Sequence, residues 1–427
     1  MHTMISKIVE KYSAINDHLA SSRSRILWFS LFAFLISAMI LSYYAWYHIQ
    51  NPVPGYSYDI DGWAHLIPKM IETGKTWELL TEAVHHRRNF LVPFIYGLSY
   101  CFLGIPESVH ILNILLQSLS SMILVWFLSA EYKRPLLGFF IGFLWAVWPP
   151  FSQYFGYYYS EAIYGLVFLL LWVVTTLFLK NPKWTTAAWI GVLLATSMHV
   201  KATCALVVVG MFFCCLTIWR DRAFKYVPII FLSLVIAYAP WPLRNYFKSN
   251  KFVPLTQSVG GAGMWELLFV MTYVPGDGML SGFRDKIPEY REIKAKGRTL
   301  KSVAAKKRYY RDIIIAQVKA DPAGQAGLIL KRFLRFWYWI RAYEWIPTTK
   351  SLLVMTPLLL LAVMGSFSRY RDPNVQVAIM LLLGMWALHG IVHSEFRYQF
   401  PVFPMLLFLS FGGIASFVNR RVHYESQ

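Results

Sequence analysis

The sequence predicts an all-α polytopic membrane protein. It reads as a bundle of about ten transmembrane helices, with juxtamembrane helix in the first external loop and a second, long external loop. Three observations predict this. Of 427 residues, 57% are hydrophobic and 15% charged, with a mean hydropathy of +0.44. Soluble domains average about 45–50% apolar and about 25% charged. The apolar residues gather into runs of roughly the length that crosses a bilayer, about 20 residues of helix. The charges gather between the runs, and alternate connections are basic, as cytoplasmic loops are.

The first run, 26–48, is too long for a signal-peptide core and has no small-x-small cleavage site. Lys7, Lys11, Arg23 and Arg25 precede it and place residues 1–25 in the cytoplasm. The stretch 90–104 is apolar but short, and reads as a juxtamembrane or re-entrant helix. Further runs cover 108–129, 136–150, 161–179, 184–200, 203–219 and 226–241, then 351–367, 374–393 and 400–418. Threaded this way, the inside loops carry Lys133/Arg134, Lys180/Lys183, Arg220/Arg222/Lys225, Arg369/Arg371 and Arg420/Arg421. The chain then divides into a cytoplasmic segment 1–25, a membrane module 26–241 with an external loop at 49–107, an external loop 242–350, and a closing membrane segment 351–427.

Charge and cysteine narrow the function classes. Lys and Arg number 41 against 22 Asp and Glu, a net charge of +19. In a soluble chain that excess would suggest nucleic acid. Here it marks topology and a lipid-facing surface, and no nucleic-acid partner is expected. Within 242–350 alone, 20 basic side chains face 8 acidic ones. Residues 284–319 are basic and helix-permissive, and 323–341, AGQAGLILKRFLRFWYWIR, suits a helix lying on the membrane surface. The cysteines, Cys101, Cys204, Cys214 and Cys215, lie in apolar runs, with no zinc-site or disulfide spacing.

Six polar clusters fall at the external ends of the predicted helices. Tyr58-Asp59-Ile60-Asp61-Gly62-Trp63 follows the first run. If extended, it projects both carboxylates to one side, where they can serve as a general base or hold a divalent metal ion. His85-His86-Arg87-Arg88 precedes the short apolar stretch; arginine anchors a helix at the interface or grips phosphate through its planar fork. Glu161 opens a helix, where the dipole favours an acid. His199-Val200-Lys201, Pro240-Trp241-Pro242-Leu243-Arg244-Asn245-Tyr246 and Glu395-Phe396-Arg397-Tyr398 complete the set. Acids and bases from distant parts of the chain thus share one face, which suits a site for an anionic lipid and a second substrate.

These residues carry a resemblance. APWPLRNYFKSNKFVPL (239–255), RRNFLVPFIYGLSYCFLG (87–104) and FRYQFPVFP (396–404) resemble segments of the GT-C glycosyltransferases. The likeness is to glycosyltransferase family 39 and the protein O-mannosyltransferase-like group, which includes the lipid A aminoarabinose transferases. It covers most of residues 26–418. Asn89-Phe90 stands where the family has Pro-Pro, and Arg87 where some members place a metal-binding Glu. The acidic first loop matches through Asp59 or through Asp61.

The resemblance implies a polyprenyl-phosphate sugar donor and a glycan, lipid or protein acceptor at the external face of a bacterial plasma membrane. Asp59 or Asp61 would be the base, helped by Glu161. Arg88, Lys201, Arg244 and Arg397 would hold the phosphate. Tyr58, Trp63, Asn245, Tyr246 and Tyr398 would contact substrate. A rival class, a transporter or flippase of lipid-linked sugars, should show inverted repeats and mid-membrane charges, and the sequence has no such repeat. A ligase or polymerase of such saccharides would keep its chemistry in a large late loop.

Overall fold

The computed structural model describes residues 2–51, 91–104, 107–148, 151, 160–201, 204–217, 224–250, 252, 268–269, 272, 288–338, 348–391 and 396–425. Among the described residues every regular element is helical. The chain forms two compact units: residues 1–80 with 92–173, and residues 81–91 with 174–427.

The first unit contains α1 (His2–Ala20), α2 (Arg23–Gln50), α3 (Leu91–Leu103), α4 (Ser108–Tyr132), α5 (Pro135–Val147) and most of α6 (Glu161–Lys180). Ser22 starts α2 by accepting the Arg25 N–H at 3.2 Å, so the helix begins in the polar flank before the apolar run. Its buried stripe is Ser30, Ala33, Ser37, Leu41 and Ala45. Mostly small side chains at this spacing allow close helix packing, as membrane helices require. Trp28, Leu35, Met39 and Trp46 are exposed on α2, a surface suited to lipid.

Between α4 and α5 the chain reverses at Lys133, which takes a left-handed conformation (φ 56°) and donates its N–H to the Ser129 carbonyl at 3.1 Å. Pro135 then opens α5, where its missing N–H costs nothing. This basic turn meets α1: the Leu136 N–H donates to Asn16 Oδ1 at 3.2 Å, and Arg134 lies 5.9 Å from the Tyr12 ring centroid. The N-terminal helix and the Lys133/Arg134 turn therefore lie against each other. Helix α1 itself was not anticipated in the sequence.

The second unit contains α7 (Trp184–Val200), α8 (Ala205–Thr217), α9 (Val227–Tyr238), α10 (Pro240–Ser249), α11 (Pro288–Thr299), α12 (Val303–Ala320), α13 (Pro322–Trp337), α14 (Thr349–Ser368), α15 (Pro373–Ile391) and α16 (Phe403–Glu425). A 3-10 segment, Phe396–Val402, leads into α16. Helices α14 and α16 press together at Gly365 and Gly413, where an added Cβ would meet the Leu409 and Leu361 carbonyls. Ser410 Oγ donates to the Leu358 carbonyl at 2.8 Å across the same contact. Without a hydrophobic force between helices in lipid, such close contacts supply the association.

Six described helical segments are long and apolar enough to cross a membrane: Arg23–Gln50, Ser108–Tyr132, Glu161–Lys180, Phe224–Phe247, Thr349–Ser368 and Pro373–Ile391. The described residues form an all-α, membrane-embedded array of helices. The other apolar runs also contain helices, but shorter ones: α5, α7, α8 and the apolar part of α16. Past the run 226–241 the chain stays helical through Ser249, because Pro240 and Pro242 fall in the first turn of α10, where proline is tolerated. Arg244, Asn245 and Tyr246 thus sit on a helix rather than in a loop.

Candidate functional site

Within the second unit, α7, α9 and α15 bring their C-terminal ends together with the 3-10 segment. Lys201 caps α7 in an extended conformation and donates its N–H to the Ser197 carbonyl at 2.9 Å. That leaves its side chain beyond the helix, with Nζ 4.7 Å from the centroid of the Tyr398 ring. An ammonium over an aromatic face is attracted by the ring quadrupole, by about 0.5–2 kcal/mol depending on desolvation. Tyr398 stacks on His389 at 4.0 Å and 11°, and His389 lies parallel to Phe336 at 6.0 Å. A column of one cation and three rings therefore runs from α7 through the 3-10 segment and α15 to α13.

Side chains of α13 fix that column from behind. Arg332, only 6% exposed, donates from Nε to the Gly390 carbonyl at 3.2 Å. Gly390 lies in the last turn of α15, where unsatisfied carbonyls carry partial negative charge, so the guanidinium is well placed. Burial holds the Arg332 guanidinium below the ordinary arginine range. Gln399 donates its amide to the Phe336 carbonyl, and Trp386 Nε1 donates to the Phe333 carbonyl at 2.9 Å. The segment 323–341 suits, as sequence, a helix lying on the membrane surface, whose basic residues would be solvated. Instead Lys331 and Arg332 are buried, because α13 packs against α15 and uses its charge at a helix end.

His199 Nε2 donates to the Ala237 carbonyl at 3.2 Å, and its ring stacks on Tyr238 at 4.7 Å. This joins the end of α7 to the end of α9, directly before the Pro-Trp-Pro segment. There Arg244 packs over Trp241 at 5.2 Å and donates from Nη1 to Asn245 Oδ1 at 2.9 Å. Asn245 is fully buried, whereas Tyr246 is 46% exposed. Three sequence clusters, at Lys201, Arg244 and Tyr398, therefore belong to one end of this unit.

The remaining site residues belong to the first unit or lie outside the described residues. Glu161 belongs to the first unit, at the N-terminus of α6, and is 2% exposed. An acid at that position is stabilised by the helix dipole. Tyr58, Asp59, Asp61, Trp63 and Arg88 lie outside the described residues, as does the Arg397 side chain, although its backbone belongs to the 3-10 segment. Among the described residues no three His, Cys, Asp or Glu side chains are grouped to hold a metal ion. His389, Phe336 and Arg332 were missed in the sequence as parts of this end, whereas Gln399 lies in the FRYQFPVFP segment named there. The available signal was one histidine near the end of an apolar run, His389, and basic residues interleaved with aromatics in LKRFLRFW. No family model matches this chain, and no curated protein matches it.

Proposed function

We propose that this chain is a GT-C-type glycosyltransferase that moves a sugar from a polyprenyl-phosphate donor to a glycan, lipid or protein acceptor. In this reading all ten apolar runs cross a bacterial plasma membrane, and the ends of α7, α9 and α15 face its non-cytoplasmic side. The observation that carries it is the meeting of Lys201 with Tyr398. Two residues named from separate motifs lie against each other, a cation beside a ring face, at the end where Arg244 also sits. A cation held against a ring at a helix end, with Arg244 on the same unit, suits a substrate that carries a phosphate.

The chemistry then follows from charge. The acceptor hydroxyl or amine attacks the anomeric carbon, and its proton passes to Asp59 or Asp61. The bond from that carbon to the phosphate oxygen breaks, and the electron pair leaves on a phosphate monoester. Its second pKa is near ~6, so it departs without a strong general acid. Lys201 and Arg244, with Arg88 and Arg397 as further candidates, would stabilise the charge that develops there. A single displacement inverts the anomeric centre. Glu161 is the helper acid in this scheme.

The test uses the full chain in lipid nanodiscs with a panel of polyprenyl-phosphate sugars, following release of free polyprenyl phosphate. Lys201→Ala is expected to lower turnover about a hundredfold, in the range found for losing one charge-stabilising donor. Lys201→Arg should recover part of it. Full turnover in Lys201→Ala would remove this residue from the phosphate site. Asp59→Asn or Asp61→Asn should abolish transfer, and wild-type transfer in both would refute the base assignment.

A further inference from the structure

Three helices of the long loop, α11 to α13, carry a surface that the glycosyl-transfer reading does not use. Two of them, α11 and α12, meet at an aromatic centre: Phe269 stacks on Tyr290 at 5.7 Å and meets Tyr310 at 5.4 Å. Tyr309 donates its hydroxyl to the Ile293 carbonyl at 3.3 Å, tying α12 to α11. Gln325 of α13 donates to the Thr272 carbonyl at 2.9 Å, and Thr272 also bonds Gln317 of α12. The inward face of α12 is therefore the one bearing Tyr310 and Gln317.

Its outward face holds Arg308, Arg311, Ile315, Val318 and Lys319, which helical spacing places within one stripe. All five are exposed, Ile315 and Val318 by 44% and 43%. Arg311 pairs with its neighbour Asp312 at 2.8 Å. Arg308 and Lys319 have no carboxylate partner among the described residues. On α13, Leu330 and Leu334 are 59% and 36% exposed, while Arg332 and Phe333 of the same helix hold Gly390 and Trp386 of α15. α15 is long and apolar enough to span a membrane, α13 bonds the last turn of that helix, and α12 joins α13 through the Asp321–Pro322 turn.

We infer that the outward face of α12, with Leu330 and Leu334 of α13, docks on anionic lipid headgroups beside the transmembrane helices. Cations at the phosphate level with apolar side chains just below it are the arrangement an interfacial helix needs. Charge complementarity commits the surface to anionic rather than zwitterionic lipid. Each basic residue near such a surface strengthens docking about fivefold. This inference does not depend on the proposed transfer reaction.

The test places an environment-sensitive fluorophore at Ile315→Cys or Val318→Cys in the full-length chain, with the native cysteines replaced by alanine. The nanodiscs contain phosphatidylcholine alone or mixed with phosphatidylglycerol, and brominated lipid serves as quencher. Quenching is expected in the anionic discs and should fall at high salt, where the Debye length shortens. Arg308→Gln and Lys319→Gln should each lower the docked-to-free ratio about fivefold, and Arg308→Lys should retain it. A label that stays in water in every lipid mixture would overturn the inference. So would quenching that ignores anionic lipid, salt and both substitutions. A soluble anionic partner or a second copy on this face predicts the first of those results.

Discussion

Helices α12 and α13 are neighbours in one loop and look alike as sequence, each mixing lysine and arginine with large apolar residues. In the structure they use those residues in opposite ways. α12 keeps Arg308, Arg311 and Lys319 outside, beside exposed Ile315 and Val318. α13 turns Lys331 and Arg332 inward, 4% and 6% exposed, and binds the last turn of α15. The difference lies in what each helix meets. A helix C-terminus offers partial negative charge and free carbonyls, so a buried cation there is compensated. Among the described residues the basic face of α12 meets no such end, and its cations stay exposed. Composition alone therefore cannot say whether a basic amphipathic helix is a brace or a surface; the tertiary partner decides.

The sharpest way to break this contrast is Arg332→Met. It removes a charged hydrogen bond from a buried carbonyl, and a loss of about 2–3 kcal/mol of stability is expected, read as a lower melting temperature in detergent. Arg332→Lys should recover only part, since Nε is the bonding atom and lysine has no planar fork. A stability equal to wild type in Arg332→Met would make α13 a surface helix after all.

A smaller effect is expected at Trp386→Phe. This keeps an aromatic ring beside Phe333 but removes the N–H that bonds the Phe333 carbonyl, at a cost of about 1 kcal/mol. The smallest effect belongs to α12. Arg308→Gln and Lys319→Gln should each change stability by no more than about 0.5 kcal/mol, as surface substitutions do, while shifting the lipid dependence of the Ile315 label. A large destabilisation there would erase the contrast between the two helices.

Much of the helical scaffold was legible in the sequence, because lipid leaves a spanning chain little choice but helix. The run 108–129 lies in α4, 184–200 matches α7, and the short stretch 90–104 holds α3. The contact of Arg134 with Tyr12 of α1, by contrast, had no signal in the sequence. Helix α1 escaped notice because its apolar residues are few and spaced for a surface, so it lacks a hydropathy signal. The continuation of helix through Arg244 was hidden by two prolines, which more often end helices than open them.

Within the candidate site, residue identity was more legible than role. Lys201 and Tyr398 were recognisable as polar residues at the ends of apolar runs, yet their contact depends on the extended cap at Lys201 and the 3-10 turn at Phe396–Val402. Arg332 bonds a carbonyl 58 residues away, a partner that no local pattern reveals. His199 looked like a site residue, but its ring is engaged by Ala237 and Tyr238, which gives it a bracing role between α7 and α9. The loop carrying Asp59 and Asp61 rests on sequence alone.

The central claim is that this membrane chain cleaves a sugar–phosphate bond instead of moving an intact lipid-linked sugar. Mass spectrometry of lipids recovered from nanodiscs holding the full chain, a polyprenyl-phosphate sugar and an acceptor mixture tests it directly. The account predicts free polyprenyl phosphate and a glycosylated acceptor, both lost in Asp59→Asn/Asp61→Asn and reduced in Lys201→Ala. Recovery of the donor intact across the whole panel, with translocation in proteoliposomes that depends on the chain, would contradict it.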